Sequence, residues 1–85
     1  MPEISRFLGI VIFMNFNEHN PPHFHARYSD FEITVEINSG IVEGKFPKRA
    51  LNIVLEWYEL HKEELMDDWN LLKSTGEFKK IQPLE

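Results

Sequence analysis

The sequence predicts an α+β fold: a small antiparallel sheet of three to four strands followed by two C-terminal helical segments, in a single domain spanning residues 1–85. Three observations carry this expectation. The first half alternates or runs apolar and is broken by turn residues every few positions, the mark of short strands. From Pro47 to Thr75 neither proline nor glycine interrupts a stripe of apolar residues at helical spacing. A chain of this length buries only about 60–65% of the surface its unfolded form exposes, which suits one sheet with helices over one face.

Ser5 to Phe16 is apolar on both alternating faces, with Leu8, Ile10, Ile12, Met14 and Phe16 against Phe7, Val11 and Phe13. That pattern predicts a strand at the sheet's centre, covered on both sides. Asn17 to Pro22 reads as a bend, because Pro21 and Pro22 fix φ and Asn20 is pushed toward extended backbone. Strands follow at His23–Tyr28 and Phe31–Ile37, separated by Ser29 and Asp30. Two polar residues between two strands predict a tight hairpin. Its register pairs Tyr28 with Phe31, Arg27 with Glu32, Ala26 with Ile33, His25 with Thr34, Phe24 with Val35 and His23 with Glu36. Every pair then sorts by polarity, leaving His23, His25, Arg27, Glu32, Thr34 and Glu36 on one face. Ser39 and Gly40 signal a further turn into a short strand near Ile41–Glu43.

Pro47 suits the first turn of a helix and Gly76 its end. One unbroken helix over that span would run roughly 42 Å. Two segments, about 47–60 and 62–74 and meeting near His61, are therefore expected, with a single curved helix as the alternative and with Leu51, Val54, Leu55, Tyr58, Leu65, Met66, Trp69 and Leu72 turned inward. Trp57 fits a core position as well. The tail, apolar at Phe78, Ile81 and Leu84, is expected to lie across the body.

The composition narrows the function. There is no cysteine, so a disulfide framework and a thiolate metal site are both excluded, and a metal would need histidine and carboxylate ligands. No stretch approaches the roughly 18 apolar residues of a membrane span, and the segment from Met1 to Arg6 lacks a signal-peptide pattern, so the expected location is the cytoplasm. The net charge is −5. Six of the acids (Glu56, Glu59, Glu63, Glu64, Asp67 and Asp68) fall between Glu56 and Leu72 beside one base, Lys62, which weighs against generic nucleic-acid binding. Lys45, Lys48 and Arg49 gather where the first helix begins and could attract an anion, although exposed bases at such a place are usually only solvated.

The most informative segment is His19-Asn20-Pro21-Pro22-His23-Phe24-His25-Ala26, which holds three of the four histidines. His23 and His25 project from one face of a strand because residues i and i+2 do so. With Glu18, Glu32 and Glu36 nearby, His19, His23 and His25 could supply the nitrogen and oxygen ligands of a divalent metal such as zinc. The spacing is only weakly specific. A metal-free alternative has His23 or His25 as general acid and base, Glu36 orienting an imidazole and Arg27 holding an anion, a set suited to phosphodiester cleavage.

The opening Met1, Pro2, Ile4, Ser5, Arg6, Phe7, Gly9 and Ile10, the His19 to Ala26 motif, the Ala50, Leu51, Trp57, Leu60, His61, Glu64, Leu65 and Trp69 pattern, and the closing Ile81, Pro83 and Leu84 resemble the bacterial domain-of-unknown-function family four-one-six-zero. The resemblance covers essentially the whole chain, with Glu18 standing where the family more often has Asp. It implies a small bacterial protein, often encoded beside a second small protein in a two-gene arrangement of toxin–antitoxin type, and it carries no established activity. The expected function is thus a toxin-like component whose His cluster is a metal or acid–base site, with a small neighbour-encoded protein as partner and a second copy of the chain as another candidate. The alternative is a non-enzymatic module that docks a partner through its polar sheet face or acidic helix.

Overall fold

The computed structural model describes residues 2–85; Met1, one of the residues in the opening pattern, lies outside them. Five strands precede one helix: β1 Glu3–Phe7, β2 Ile10–Phe13, β3 His23–Tyr28, β4 Phe31–Glu36, β5 Val42–Lys45 and α1 Lys48–Ser74. The strands form one antiparallel sheet in chain order. The fold is α+β, as the sequence predicts, but with five strands instead of three to four.

The extra strand comes from the segment read as one long strand from Ser5 to Phe16. It folds back on itself, with Leu8 and Gly9 as a two-residue turn at φ 50° and 81° and Phe7 paired with Ile10. Both turn residues adopt the left-handed region that such hairpins require. Leu8 hides the turn from a polarity reading because it is apolar, yet it lies 67% exposed. The sheet's centre is accordingly β3, with β1 and β5 at the edges. The β3–β4 register is the one the two-residue turn dictates, from Tyr28 opposite Phe31 to His23 opposite Glu36.

One sheet face and α1 share the core, in which Ile10, Ile12, Phe24, Ala26, Ile33 and Val35 meet Val54, Trp57, Tyr58, Leu65 and Trp69. The Tyr58 hydroxyl donates to the Ile37 carbonyl at 2.6 Å, satisfying the one polar atom that this ring brings inside. A straight 27-residue helix would run about 40 Å, longer than the molecule's greatest extent of 34 Å. The helix therefore bends. His61 takes non-helical dihedrals (φ −127°, ψ 22°), so the two predicted segments are one helix broken in direction at the expected junction.

The tail is tied down at three points: the Lys79 N–H donates to Asp68 Oδ1 at 2.8 Å, the Ile81 N–H to the Ile4 carbonyl at 2.9 Å, and the Trp57 indole to the Gln82 carbonyl at 2.9 Å. Ile81 is buried against the core. The second of these bonds covers part of edge strand β1. Among the described residues no helix is long and apolar enough to cross a membrane.

Candidate metal centre

The sheet face turned away from the core carries the His cluster, and the pairings across β2, β3, β4 and β5 place Phe13, His25, Thr34 and Glu43 in one cross-strand row. Phe13 lies beneath the cluster. Its ring stacks on His25 with centroids 4.9 Å apart and planes 13° from parallel, and the Arg27 guanidinium lies 5.0 Å above it. Although Phe13 is on the polar side of the sheet, it is only 2% exposed.

The loop between β2 and β3, which contains a cis Asn20–Pro21 bond, brings Glu18 over the histidines. Glu18 Oε1 lies 2.6 Å from His25 Nε2 and 3.6 Å from His23 Nε2. Those three ligand atoms lie within 4.8 Å of one another. Two ligand atoms on a tetrahedral zinc, each 2.0–2.2 Å from the ion, stand about 3.4 Å apart. The two Glu18 separations, 2.6 and 3.6 Å, bracket that value, so the cluster offers three ligand atoms at close to the spacing of a metal site.

The outer contacts fix which nitrogen faces inward. His23 Nδ1 lies 2.8 Å from the Pro21 carbonyl, which can only accept; Nδ1 carries the proton and Nε2 presents its lone pair in the neutral ring. His25 Nδ1 lies 3.3 Å from Glu32 Oε2, and the other Glu32 oxygen takes Arg27 Nη2 at 3.3 Å. Metal-bound histidines are oriented in this way, by a carbonyl or carboxylate on the distal nitrogen. His25 thus stands between two carboxylates, with Nε2 on Glu18 and Nδ1 on Glu32. Asn15 Nδ2 donates to Glu18 Oε1 at 3.0 Å. Burial alone would raise the Glu18 carboxyl, but the hydrogen bonds from His25 and Asn15 and the charge of the imidazoles outweigh it and hold it below its ordinary value.

The far end of α1 closes the cluster from behind. The Trp69 ring packs 5.2 Å from that of His23, Lys73 Nζ sits 5.0 Å over the Trp69 ring, and the same ammonium donates to the Glu18 carbonyl at 2.5 Å.

Of the residues singled out in the sequence, His23 and His25 converge. His19 is exposed and reaches no polar partner among the described residues; it lines a groove beside His23, and its neighbour Glu18 supplies the third converging atom. Arg27 holds Glu32, and Glu32 rather than Glu36 orients an imidazole. Glu36 faces the groove. Phe13, Asn15, Trp69 and Lys73 went unrecognised. A β2–β3 register would have exposed the first, but no local signal marks Lys73, which lies 55 residues from the carbonyl it holds. Lys45, Lys48 and Arg49 lie toward the opposite end of the sheet, near the Tyr28–Phe31 turn.

Fold and site together define a small α+β protein that carries a two-histidine, one-carboxylate cluster on the open face of a meander sheet. Residues 9–70 match the family model described as domain of unknown function DUF4160, and the chain belongs to that family. The whole cluster lies inside the matched stretch, whereas β1 and the tail lie outside it. No curated protein and no solved structure matches the chain.

Proposed function

We propose that Glu18, His23 and His25 form a divalent-metal centre and that it serves as the hydrolytic site of a toxin-like component in a two-gene module. One observation carries the metal reading: two imidazole Nε2 atoms and a carboxylate oxygen converge while each distal Nδ1 is engaged by an oxygen acceptor. A zinc-like ion with three protein ligands keeps a position for water and lowers its pKa to about 7, supplying a hydroxide nucleophile. The protein's part is to hold the three ligands, with Asn15 and Lys73 fixing Glu18 and Glu32 fixing His25. Phosphodiester and acyl bonds are both open to such a nucleophile.

The 2.6 Å Glu18–His25 contact favours a second reading, a metal-free acid–base pair on the same residues. The exposed acids Glu56, Glu59, Glu63, Glu64 and Asp67 favour a third, in which the helix docks a partner protein and no reaction is catalysed. Two measurements on His23→Ala/His25→Ala separate the three: zinc titration by calorimetry, and growth of cells expressing the protein without its neighbour. Loss of both zinc uptake and growth inhibition supports the metal centre. Growth inhibition lost without any zinc uptake by the parent protein supports the acid–base pair, and inhibition retained by the variant supports docking.

A further inference from the structure

A groove of about 320 Å³ opens beside the cluster and shares His23 with it, lined also by His19, Pro21, Thr34, Glu36, Ile41 and Glu43. It runs across the sheet, because Glu36 pairs with His23 and Glu43 pairs with Thr34, the partner of His25. A substrate whose reactive bond reaches the centre would lay its neighbouring group along this groove.

The charges along it are one-sided. Among the described residues no lysine or arginine lines the groove. Other carboxylates on and around this face have a partner: Glu3 has Arg6, Glu32 has Arg27, and Glu18 accepts from Asn15 and contacts His25. Glu36 and Glu43 have no ion-pair partner among the described residues, and Glu36 is half-buried. A phosphate entering here meets two uncompensated negative charges, whereas an ammonium or guanidinium meets two acceptors. Pro21 and Ile41, the latter 59% exposed, offer apolar contact for the methylenes behind such a group.

We infer that this groove is the substrate subsite of the centre and that it receives a cationic side chain, a primary ammonium or guanidinium, placing the substrate among amine-bearing acyl compounds such as basic peptides rather than phosphodiesters. The inference rests on the metal-centre reading only for the reaction; the subsite is defined by its own groups.

The test uses agmatine as the cationic probe and dimethyl phosphate as the phosphodiester probe, followed by amide chemical shifts of the full chain with and without one equivalent of zinc. Agmatine is expected to shift Thr34, Glu36 and Glu43 saturably, with affinity reduced about fivefold in Glu36→Gln/Glu43→Gln, a loss in keeping with two exposed charge pairs. Dimethyl phosphate is expected to leave these amides unmoved. Agmatine binding unchanged in the double variant, no agmatine binding at all, a response to dimethyl phosphate in the groove, or an equal agmatine response at the helix acids Glu59 and Glu63 would overturn the subsite. Zinc titration of the same samples keeps the two readings apart. Agmatine in the groove of a protein that takes up no zinc overturns the metal centre alone, and zinc uptake without an agmatine response overturns the subsite alone.

Discussion

Glu18 Oε1 and His25 Nε2 stand 2.6 Å apart across a loop that reverses the chain between β2 and β3. The contact joins a carboxylate, held below its ordinary pKa, to an imidazole whose other nitrogen already faces Glu32. His25 is thereby fixed at both nitrogens, and the cluster can take up a metal with little reorganisation.

Removing any one of the three converging groups should abolish tight zinc binding. Glu18→Gln, His23→Ala and His25→Ala are each expected to weaken it by more than the about 10–100-fold typical of outer-contact changes, which is the range expected for Glu32→Gln. His19→Ala should leave the affinity nearly unchanged, because His19 is exposed and outside the cluster. Calorimetric titration of the five variants checks the ranking, and an equal loss for His19→Ala would contradict it.

Much of this arrangement could be read from the sequence because it is local. The hairpin turn at Ser29 and Asp30 has two residues, and that count alone fixes which side chains share the polar face with His23 and His25. The Leu8–Gly9 turn leaves no polar signal in the sequence, because an apolar residue occupies a left-handed position and apolar residues, Phe7 and Ile10, flank it. Choosing Glu18 over His19 as the third converging group depends on the path of a proline loop, which residue spacing does not encode. Trp69 and Lys73 reach the cluster only through the packing of α1 on the sheet, and such contacts leave no periodic trace.

Trp69 and Lys73 should act as positioning residues. Lys73→Met is expected to leave the melting temperature nearly unchanged, since the ammonium is exposed, while weakening zinc binding through the freed Glu18 loop. Lys73→Arg should restore part of the affinity. Trp69→Ala removes a ring only 4% exposed and is expected to cost about 3–5 kcal/mol of stability, as is Trp57→Ala. Chemical denaturation at matched pH measures both.

Gly44 fixes the path of β5. Its φ is +107°, and a Cβ there would lie 2.6 Å from the Glu32 carbonyl oxygen and 3.1 Å from Ile33 Cα. Gly44→Ala should cost about 1–3 kcal/mol through backbone strain, with the steric contact adding to it. A variant as stable as the parent in urea would contradict this geometry.

Two carboxyls give opposite pH responses. Burial raises the Asp68 carboxyl above its ordinary value, more than the Lys79 N–H lowers it, and nearby Asp67 and Glu64 add to the rise. A raised carboxyl favours folding in its neutral form, so its contribution is full below the unfolded value near 3.9 and is lost as pH rises through the folded value. Glu18, held low, contributes above its unfolded value near 4.3 and loses that contribution as pH falls through its folded value. Asp68→Asn should therefore flatten the decline of stability on the alkaline side of pH 4, and Glu18→Gln should flatten the decline on the acid side. Urea midpoints between pH 3 and 8 check both signs; the reverse assignment of the two slopes would contradict the pair.

The most direct measurement of the central claim is a crystal structure grown with zinc, with the ion located by its anomalous signal. The ion is expected between Glu18, His23 and His25, about 2.0–2.2 Å from Nε2 of each histidine and from a Glu18 oxygen, with His23 Nδ1 still on the Pro21 carbonyl and His25 Nδ1 still on Glu32. Zinc bound elsewhere on the chain, or these three side chains ordered with no ion between them at saturating zinc, would contradict the metal centre.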